Sequence, residues 1–235
     1  MSRSKTSSKE ETHREAGTGS RPPERIGVLL LISAPSGGGK TTLCDGLLAA
    51  NTHLSRVITC TTRDPRDGEQ DGVDYHFLTA EAFLKRVQAG NFLEHATVYG
   101  HSYGVLKSDV LEKLRSGSDV LLTVDVQGAA TIRDQAERDH ELSRALVSVF
   151  LAPPNMVELE ARLRGRNKDS ATTIQKRLSV ARQEITQARH FDYLVVSESK
   201  DRDLAKVQSI LDAERLRQGR VRLPDYGPPP APSSP

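Results

Sequence analysis

The sequence lacks several features that mark other classes of protein. It has no tryptophan and only two cysteines, Cys44 and Cys60. Such a pair gives neither a disulfide framework nor a metal-ligand pattern, so we expect two ordinary thiols in a reducing compartment. No apolar run approaches the roughly 18 residues of a membrane span. The sequence therefore predicts no disulfide scaffold and no contact with a membrane.

The chain also lacks a strong charge of either sign. Its 33 basic and 31 acidic residues leave a net charge of +2, which does not favour a nucleic-acid partner. The first residues contain no apolar core and several glutamates, so we expect neither a secretory signal nor a transit peptide, and a cytoplasmic location. At 235 residues, 36% of them hydrophobic, the chain is long enough for one buried core. Composition predicts no particular oligomeric state.

Both ends of the chain lack the apolar pattern that a docked segment needs. Residues 1–25 are charged or small, and residues 219–235 are rich in proline, so we predict two disordered tails. Removal of residues 1–24 and 220–235 is accordingly expected to leave turnover and melting temperature almost unchanged.

Between the tails, short apolar runs alternate with helical patterns. The runs resemble strands buried on both faces and read VLLLIS, RVITC, DVLLTVDV, ALVSVFL and YLVVS. The predicted helices cover 40–50, 107–116, 129–138, 172–189 and 201–217. Strands that alternate with helices predict an α/β fold with a parallel five-stranded sheet covered by helices.

Two segments interrupt this alternation. Residues 59–106 are polar and rich in turns, and residues 153–182 are basic and begin with two prolines. We interpret both as insertions that rise from the sheet and can move. The core then consists of 26–58, 107–152 and 183–218.

The stretch SAPSGGGKTTL follows the first apolar run and precedes a helix. It fits the phosphate-loop pattern G-x-x-x-x-G-K-[ST] with alanine at the first glycine. Successive glycines let backbone N–H groups turn towards phosphate oxygens, and the helix that follows adds its positive end. The predicted ATP-binding residues are Ala34, Pro35, Ser36, Gly37, Gly38, Gly39, Lys40, Thr41 and Thr42. Lys40 can reach the terminal phosphates, and the hydroxyl of Thr41 can bind Mg²⁺.

A phosphate acceptor has to be recognised by the first insertion. Arg63 and Arg66 lie three residues apart, and two guanidinium groups at this spacing can bind one phosphate dianion. Two arginines in a loop are also common on a solvated surface. Glu69 can hold an arginine, and Tyr75 adds a hydroxyl.

Glu94 follows two apolar residues, so its carboxylate can lie in a partly apolar wall. There it can accept two hydrogen bonds from guanine, which presents N1–H and an amino group along one edge. Adenine presents an acceptor at N1 instead. Tyr103, nine residues further on, can reach the phosphate.

The second insertion carries Arg162, Arg166 and Arg177. The first two lie four residues apart and therefore share one face of a helix. Spacing alone is equally typical of a solvated basic helix. Arginines that close over the phosphates of ATP are the functional alternative.

Four stretches of the chain together resemble the guanylate kinase family, over roughly residues 26–216. They read TTRDPRDGEQDGVDYHF, FLEHATVYG, SYG and VDVQGA. The resemblance implies a P-loop NTPase core with a GMP-binding insertion at 59–106 and a helical lid at 153–182. It implies transfer of the γ-phosphoryl group of ATP to GMP, and to dGMP, in purine metabolism and GMP recycling. The catalytic residues implied are Lys40, Arg63, Arg162, Arg166 and Arg177. The implied GMP-binding residues are Thr59, Arg63, Arg66, Glu69, Tyr75, Glu94, Tyr103 and Asp125.

The same resemblance implies Mg²⁺ held by Thr41 and, through water, by Asp125. The sequence departs from the family's pattern at positions that contact the bases or flank the phosphates, namely Ala34, Thr59, Val105, Thr123 and Ser197. Two other functions remain open: a kinase for a different small acceptor, and a non-catalytic module of the same fold that binds proteins. An intact phosphate loop argues against the second.

Overall fold

The computed structural model describes residues 25–165 and 170–223, which fold into alternating strands and helices. The strands are β1 Leu29–Ser33, β2 Leu54–Ser55, β3 Thr59–Thr61, β4 Tyr75–Phe77, β5 Phe92–Val98, β6 His101–Leu106, β7 Asp119–Thr123, β8 Leu146–Ala152 and β9 Tyr193–Val196. The helices are α1 Lys40–Ala50, α2 Ala80–Gln88, α3 Lys107–Arg115, α4 Val126–Ala136, α5 His140–Ala145, α6 Met156–Arg164, α7 Ala171–Thr186 and α8 Lys200–Arg215. None of the described helices is both long and apolar enough to cross a membrane.

The core of the molecule is a parallel sheet of five strands in the order β2-β7-β1-β8-β9. Strand β1 lies in the middle and pairs in parallel with β7 on one side and β8 on the other. All five of its residues are buried. A strand covered on both faces must be apolar throughout, which is why LLLIS shows no alternation. The predicted α/β fold with a five-stranded parallel sheet is confirmed.

Alternate residues of β1 face two separate hydrophobic cores. Leu30 and Ile32 pack in the core formed with α1 and α8, to which Leu47 and Leu211 belong. The neighbours of these strand residues, Leu29 and Leu31, point the other way into the core formed with α3, α4 and α5. Successive side chains of a strand point to opposite faces. One short strand thereby anchors helices on both sides of the sheet.

A second sheet of four strands, in the order β4-β3-β6-β5, covers the chain from Thr59 to Leu106. Helix α2 packs against it through Phe83, whose ring stacks on Phe92 with centroids 4.5 Å apart. Buried Cys60 and Leu106 complete this small core. The apolar residues of the segment thus form a core separate from those of the parallel sheet.

The predicted strand at RVITC is wrong as a single strand. Strand β2 ends at Ser55 and pairs with β7, whereas β3 begins at Thr59 and pairs within the second sheet. Val57, between them, is buried. Within the run Val57 and Cys60 are buried, whereas Arg56 is exposed. Its apolar residues cover a crossing between two sheets rather than one strand, and hydrophobicity does not reveal where the hydrogen-bonding partner changes.

Helix α1 begins and ends at the predicted residues, but α4 begins at Val126, three residues before the predicted start. Asp125 explains this difference, because its carboxylate accepts the backbone N–H groups of Gln127 and Gly128 at 2.9 and 2.8 Å. A side-chain cap of this kind satisfies donors that the first turn leaves unpaired. Helices α2 and α5 were not predicted. Both are short and begin with their own caps, Thr79 and Asp139.

Helices α6 and α7 pack against each other within the segment 153–182. Their contact is a small apolar cluster of Leu159, Leu163, Ile174, Leu178 and Ala181. Residues spaced by three or four positions along each helix supply this stripe. The pair therefore has its own core, apart from the two cores of the parallel sheet.

Both predicted tails include residues that the structure describes, namely Arg25 at one end and residues 219–223 at the other. Arg25 forms a β-bridge with Val221, and its guanidinium group donates to both carboxylate oxygens of Asp119 at 2.6 and 3.0 Å. Arg220 is buried and forms an ion pair with Glu214. Hydrophobic patterning missed these residues because charges, not apolar side chains, hold them in place. The rest of the predicted tails lies outside the described residues.

Truncation measures how much the ion pair between Arg220 and Glu214 contributes to stability. A chain ending at Gly219 loses Arg220 and leaves the buried carboxylate of Glu214 with the hydroxyl of Tyr193 and the more distant Arg217. Removing one partner of a buried ion pair costs roughly 3–5 kcal/mol, and we expect about 3 kcal/mol because Tyr193 still donates. A chain ending at Leu223 keeps the pair and serves as the control. Chemical denaturation of both chains measures the difference; equal stability would contradict a role for Arg220.

Candidate active site

The phosphate loop joins the carboxyl end of β1 to the first turn of α1. Gly37 and Gly39 have φ angles of +88° and +97°, which residues with a Cβ atom rarely adopt. A Cβ at Gly37 would also lie 2.9 Å from Leu163 on α6. Helix α1 begins without a side-chain cap. Its first N–H groups are therefore available to an anion, which the helix dipole also favours.

Lys40 points across the loop towards the end of β7. Its ammonium group donates to the backbone oxygen of Val124 at 3.1 Å. Burial lowers the pKa of Lys40, although the nearby Cys44, Asp125 and Glu184 oppose this effect. A cation held in a poorly solvated position interacts strongly with phosphate oxygens.

A cavity of about 370 Å³ contains the phosphate loop, with Ala34, Pro35, Ser36, Gly37, Gly38, Gly39, Lys40, Thr41, Thr42, Asp125 and Glu184 in its wall. All nine residues predicted to bind ATP are thus brought together with the predicted metal-water ligand Asp125. Thr41 is exposed. Hydroxyl and carboxylate oxygens beside a phosphate site match the preference of Mg²⁺, which keeps several waters and uses few protein ligands.

Glu184 was not predicted as a site residue. It lies on α7, and its Oε2 atom is buried without a hydrogen-bond partner among the described residues. Burial raises the pKa of Glu184; Asp125 adds to this rise, whereas Lys40 and the backbone N–H of Ser36 oppose it. A buried carboxylate oxygen without a donor is costly. The phosphate loop therefore faces a carboxylate oxygen that can accept a further hydrogen bond or bind a cation.

Two of the three predicted lid arginines are described, and both lie beside the phosphate loop. Arg162 shares a cavity of about 480 Å³ with Gly37, Gly39 and Thr42, and donates to the hydroxyl of Ser197 at 3.3 Å. The third arginine, Arg166, lies outside the described residues.

Arg177 lines a further cavity of about 260 Å³ together with Ser36 and Glu184. It lies seven residues before Glu184 on α7, two turns away, so both side chains fall on the same face of the helix. This spacing is the sequence signal that could have identified Glu184.

The predicted acceptor residues of the first insertion form one cluster. The guanidinium group of Arg63 donates to both carboxylate oxygens of Glu69 at 2.8 and 2.9 Å, and Glu69 also accepts the backbone N–H of Arg66 at 2.8 Å. The backbone N–H of Arg66, followed by Arg63, lowers the pKa of Glu69 against the effect of its desolvation. Arg63 lies 5.4 Å from the ring centroid of Tyr75. Glu69 thus fixes the orientation of Arg63, while no described residue hydrogen-bonds the exposed side chain of Arg66.

Tyr103 connects this cluster to a cavity of about 220 Å³ between the two sheets. The ring of Tyr103 lies 6.2 Å from that of Tyr75. The cavity wall includes Thr59, Glu94, Tyr103, Val105 and Thr123, all of which the sequence had associated with the acceptor or with departures from the family pattern. Asp125 faces the phosphate loop instead.

Glu94 pairs across β5 and β6 with Val105, so the two side chains lie side by side in this cavity. Burial, followed by the charge of Asp125, raises the pKa of Glu94. Gly128 permits this position, since a Cβ there would lie 3.2 Å from Cγ and 3.3 Å from Oε1 of Glu94. Gly128 belongs to the motif VDVQGA, but its role of making room for Glu94 was not foreseen.

The family model described as guanylate kinase matches residues 27–214. The chain belongs to the guanylate kinase family. It is 45% identical over 203 residues to a guanylate kinase of Paramagnetospirillum magneticum, covering 86% of this chain and 92% of that protein. It is 43% identical to a guanylate kinase from the Wolbachia of Brugia malayi, covering 84% of this chain and 98% of the relative.

Among solved structures, a guanylate kinase from Anaplasma phagocytophilum superposes with a TM-score of 0.62 at 30% identity, covering 85% of this chain and 92% of that one. Guanylate kinases are ATP:GMP phosphotransferases, so this chain is a nucleoside monophosphate kinase. The predicted resemblance, enzyme class and P-loop fold are confirmed. The roles of individual residues remain predictions.

Glu184→Gln tests whether this carboxylate, whose Oε2 atom lacks a described donor, serves the guanylate kinase reaction. The change keeps the shape and removes a charge that is costly to bury, so the ligand-free protein should melt at the same or a higher temperature. Turnover should fall by about tenfold or more, because the variant loses a preorganised carboxylate that can hold Mg²⁺ and its waters beside the phosphates. Melting curves and steady-state rates measure the two effects, and Glu137→Gln on the exposed surface is the control. Full turnover in Glu184→Gln would leave Glu184 with no part in the reaction.

Proposed function

We propose that this guanylate kinase transfers the γ-phosphoryl group of ATP to GMP, and to dGMP, with Mg²⁺ as the metal ion. The observation that carries the proposal is the arrangement of two sites around the carboxyl ends of β1 and β7. The phosphate loop and Lys40 lie on one side. The cavity with Glu94, which leads through Tyr103 to Arg63, lies on the other. Donor and acceptor phosphates can therefore meet between them.

On the donor side, the chain supplies positive charge and orientation. The free N–H groups at the start of α1, with Lys40, would bind the β- and γ-phosphates, while Arg162 and Arg177 approach from α6 and α7. Phosphoryl transfer depends on such alignment and charge stabilisation rather than on a covalent intermediate. Thr41, Asp125 and Glu184 offer oxygen atoms to Mg²⁺ and its waters, and the bound ion would neutralise phosphate charge.

On the acceptor side, the phosphate of GMP is itself the nucleophile and needs no protein base. Arg63, held by Glu69, would orient it together with Arg66 and the hydroxyls of Tyr75 and Tyr103. An arginine already fixed in place loses little conformational freedom on binding. This small loss of conformational entropy favours binding of the phosphate in one orientation.

Glu94 supports guanine as the base. Its carboxylate lies in a small, half-buried cavity, where it can accept hydrogen bonds from N1–H and the 2-amino group. Adenine would place its N1 acceptor against the same carboxylate and leave both groups unpaired. A site built to pair with polar edges can discriminate by roughly 10⁴-fold. The cytoplasmic location expected from composition remains a prediction.

A coupled assay for ADP release tests this function. Purified full-length chain with ATP and Mg²⁺ should turn over GMP and dGMP, and AMP at least 10³-fold less efficiently. Lys40→Ala should lose about 10²–10³ in kcat while remaining folded. Comparable efficiency with AMP would contradict the guanine assignment, whereas Lys40→Ala retaining more than about a tenth of the wild-type rate would contradict the phosphate-loop assignment.

Val105→Thr tests the orientation of guanine. The base carries an acceptor at O6, and valine beside Glu94 offers it no donor. A neutral hydrogen bond is worth about 0.5–1.5 kcal/mol, or roughly 2- to 12-fold in binding. Val105→Thr should therefore lower KM for GMP and for inosine monophosphate by that factor, with KM for ATP and kcat little changed. The isosteric control is Val110→Thr, outside this cavity. An unchanged or raised KM for GMP would mean that Val105 does not face O6.

A further inference from the structure

A separate cavity of about 420 Å³ lies at the amino-terminal edge of the parallel sheet. Seven of the described residues line it, and five of these are arginine: Arg25, Ile26, Arg115, Arg144, Arg220, Val221 and Arg222. Strand β1 separates it from the phosphate loop, since Arg25 precedes the strand and the loop follows it. Five residues at roughly 3.3 Å each place about 16 Å between the two. We call this the arginine cavity.

Buried carboxylates hold two of these arginines rigidly. Asp119 is buried and accepts two hydrogen bonds from Arg25 and one from Arg215 at 2.8 Å. Arg220 donates to the backbone oxygens of Arg144 and Glu214 at 2.8 and 2.9 Å, and to the carboxylate of Glu214. The wall of the cavity is therefore preorganised, which lowers the entropic cost of binding a ligand.

The nearby carboxylates do not neutralise all of this charge. Asp119 and Glu214 are each shared with an arginine outside the cavity, Arg215 and Arg217. Arg115 pairs with exposed Glu141. Within the part of the chain that the structure describes, Arg144 donates only to the neutral backbone oxygen of Gly219.

Arg222 has no hydrogen bond or ion pair with any residue of the described chain. Among the described residues, the side chains of Arg144 and Arg222 therefore bring positive charge to one cavity without a carboxylate partner. An excess of this kind attracts anions.

The chemistry of the wall indicates which anion would bind. Among the described residues that line the cavity, every cation is an arginine and none is a lysine. The planar guanidinium group donates two parallel hydrogen bonds to phosphate, whereas an ammonium acts as a point charge. The volume lies within the range of roughly 300–1,000 Å³ that is typical of small-ligand sites. Several guanidinium groups in one cavity match a ligand with several negative charges.

We propose that the arginine cavity binds an oligophosphate group, distinct from the ATP and GMP sites. The group is either inorganic or the phosphate chain of a nucleotide; both present the same chemistry to the wall. Bound there, it connects residues near the start of the described chain with Val221 and Arg222 near its end. This inference does not depend on the acceptor of the kinase reaction.

Isothermal titration of the full-length chain with sodium tripolyphosphate, without divalent cations, tests the proposal. The variant Arg144→Gln/Arg222→Gln removes the two arginines for which the structure describes no carboxylate partner, and it keeps the buried pairs. Arg182→Gln/Arg189→Gln removes the same charge from exposed positions outside the cavity and is the matched control. Lys40→Ala identifies binding at the phosphate loop.

We expect tripolyphosphate to bind at two sites of the wild-type chain, of which Lys40→Ala weakens one. Arg144→Gln/Arg222→Gln should weaken the other by at least about tenfold, because hydrogen bonds to charged groups are lost. The control should change binding by less than about twofold. Melting temperatures without ligand should be similar in all four chains, and basal kinase activity should persist in both arginine variants.

Titration with uridine triphosphate distinguishes the sources. Affinity at the Arg144- and Arg222-dependent site that exceeds that of tripolyphosphate identifies a nucleotide ligand, and lower affinity identifies an inorganic one. A single binding event that Lys40→Ala abolishes would overturn the proposal. So would equal weakening by the control pair, which would indicate general attraction to a basic surface.

Discussion

The central position of strand β1 is the constraint on which the rest of the molecule depends. Because β1 runs parallel to both β7 and β8, the carboxyl ends of all three strands meet at one edge of the sheet. The phosphate loop, Asp125 and the segment that leads to α6 therefore emerge together. Residues that are far apart in the sequence become neighbours without a long connecting loop. The two glycines with positive φ then turn the chain sharply enough for α1 to begin directly after the loop.

The two halves of the active site achieve order in different ways. In the proposed acceptor half, Arg63 is already paired with Glu69, so its orientation is set without a bound ligand. In the donor half, Lys40 contacts a backbone oxygen and Glu184 keeps an oxygen without a donor. The first arrangement reduces the entropy lost on binding. The second retains electrostatic potential that only a bound ligand can satisfy, and such sites are often less stable than their surroundings.

Sequence reasoning predicted the elements whose signal is local. The phosphate loop, helix α1 and the buried strands can each be recognised from consecutive residues. Glu94 could be placed from its apolar neighbours and its motif. The remaining features depend on partners that are distant in the chain. The end of β2 depends on its partner strand, the role of Gly128 on a side chain from β5, and the order of Arg25 and Arg220 on buried carboxylates. Apolar periodicity carries no information about such pairs.

The β-bridge between Arg25 and Val221 has a consequence for the order in which the molecule assembles. It joins residues at almost opposite ends of the described chain, so its formation closes nearly the largest loop that this chain contains. The entropy lost when a loop closes increases with the length of the loop. A contact between distant residues therefore becomes favourable only after nearer contacts have shortened the free chain between them. We expect the parallel sheet to form before this closure. We therefore expect the Arg25–Val221 pairing to be the last part of the described chain to form and the first to open.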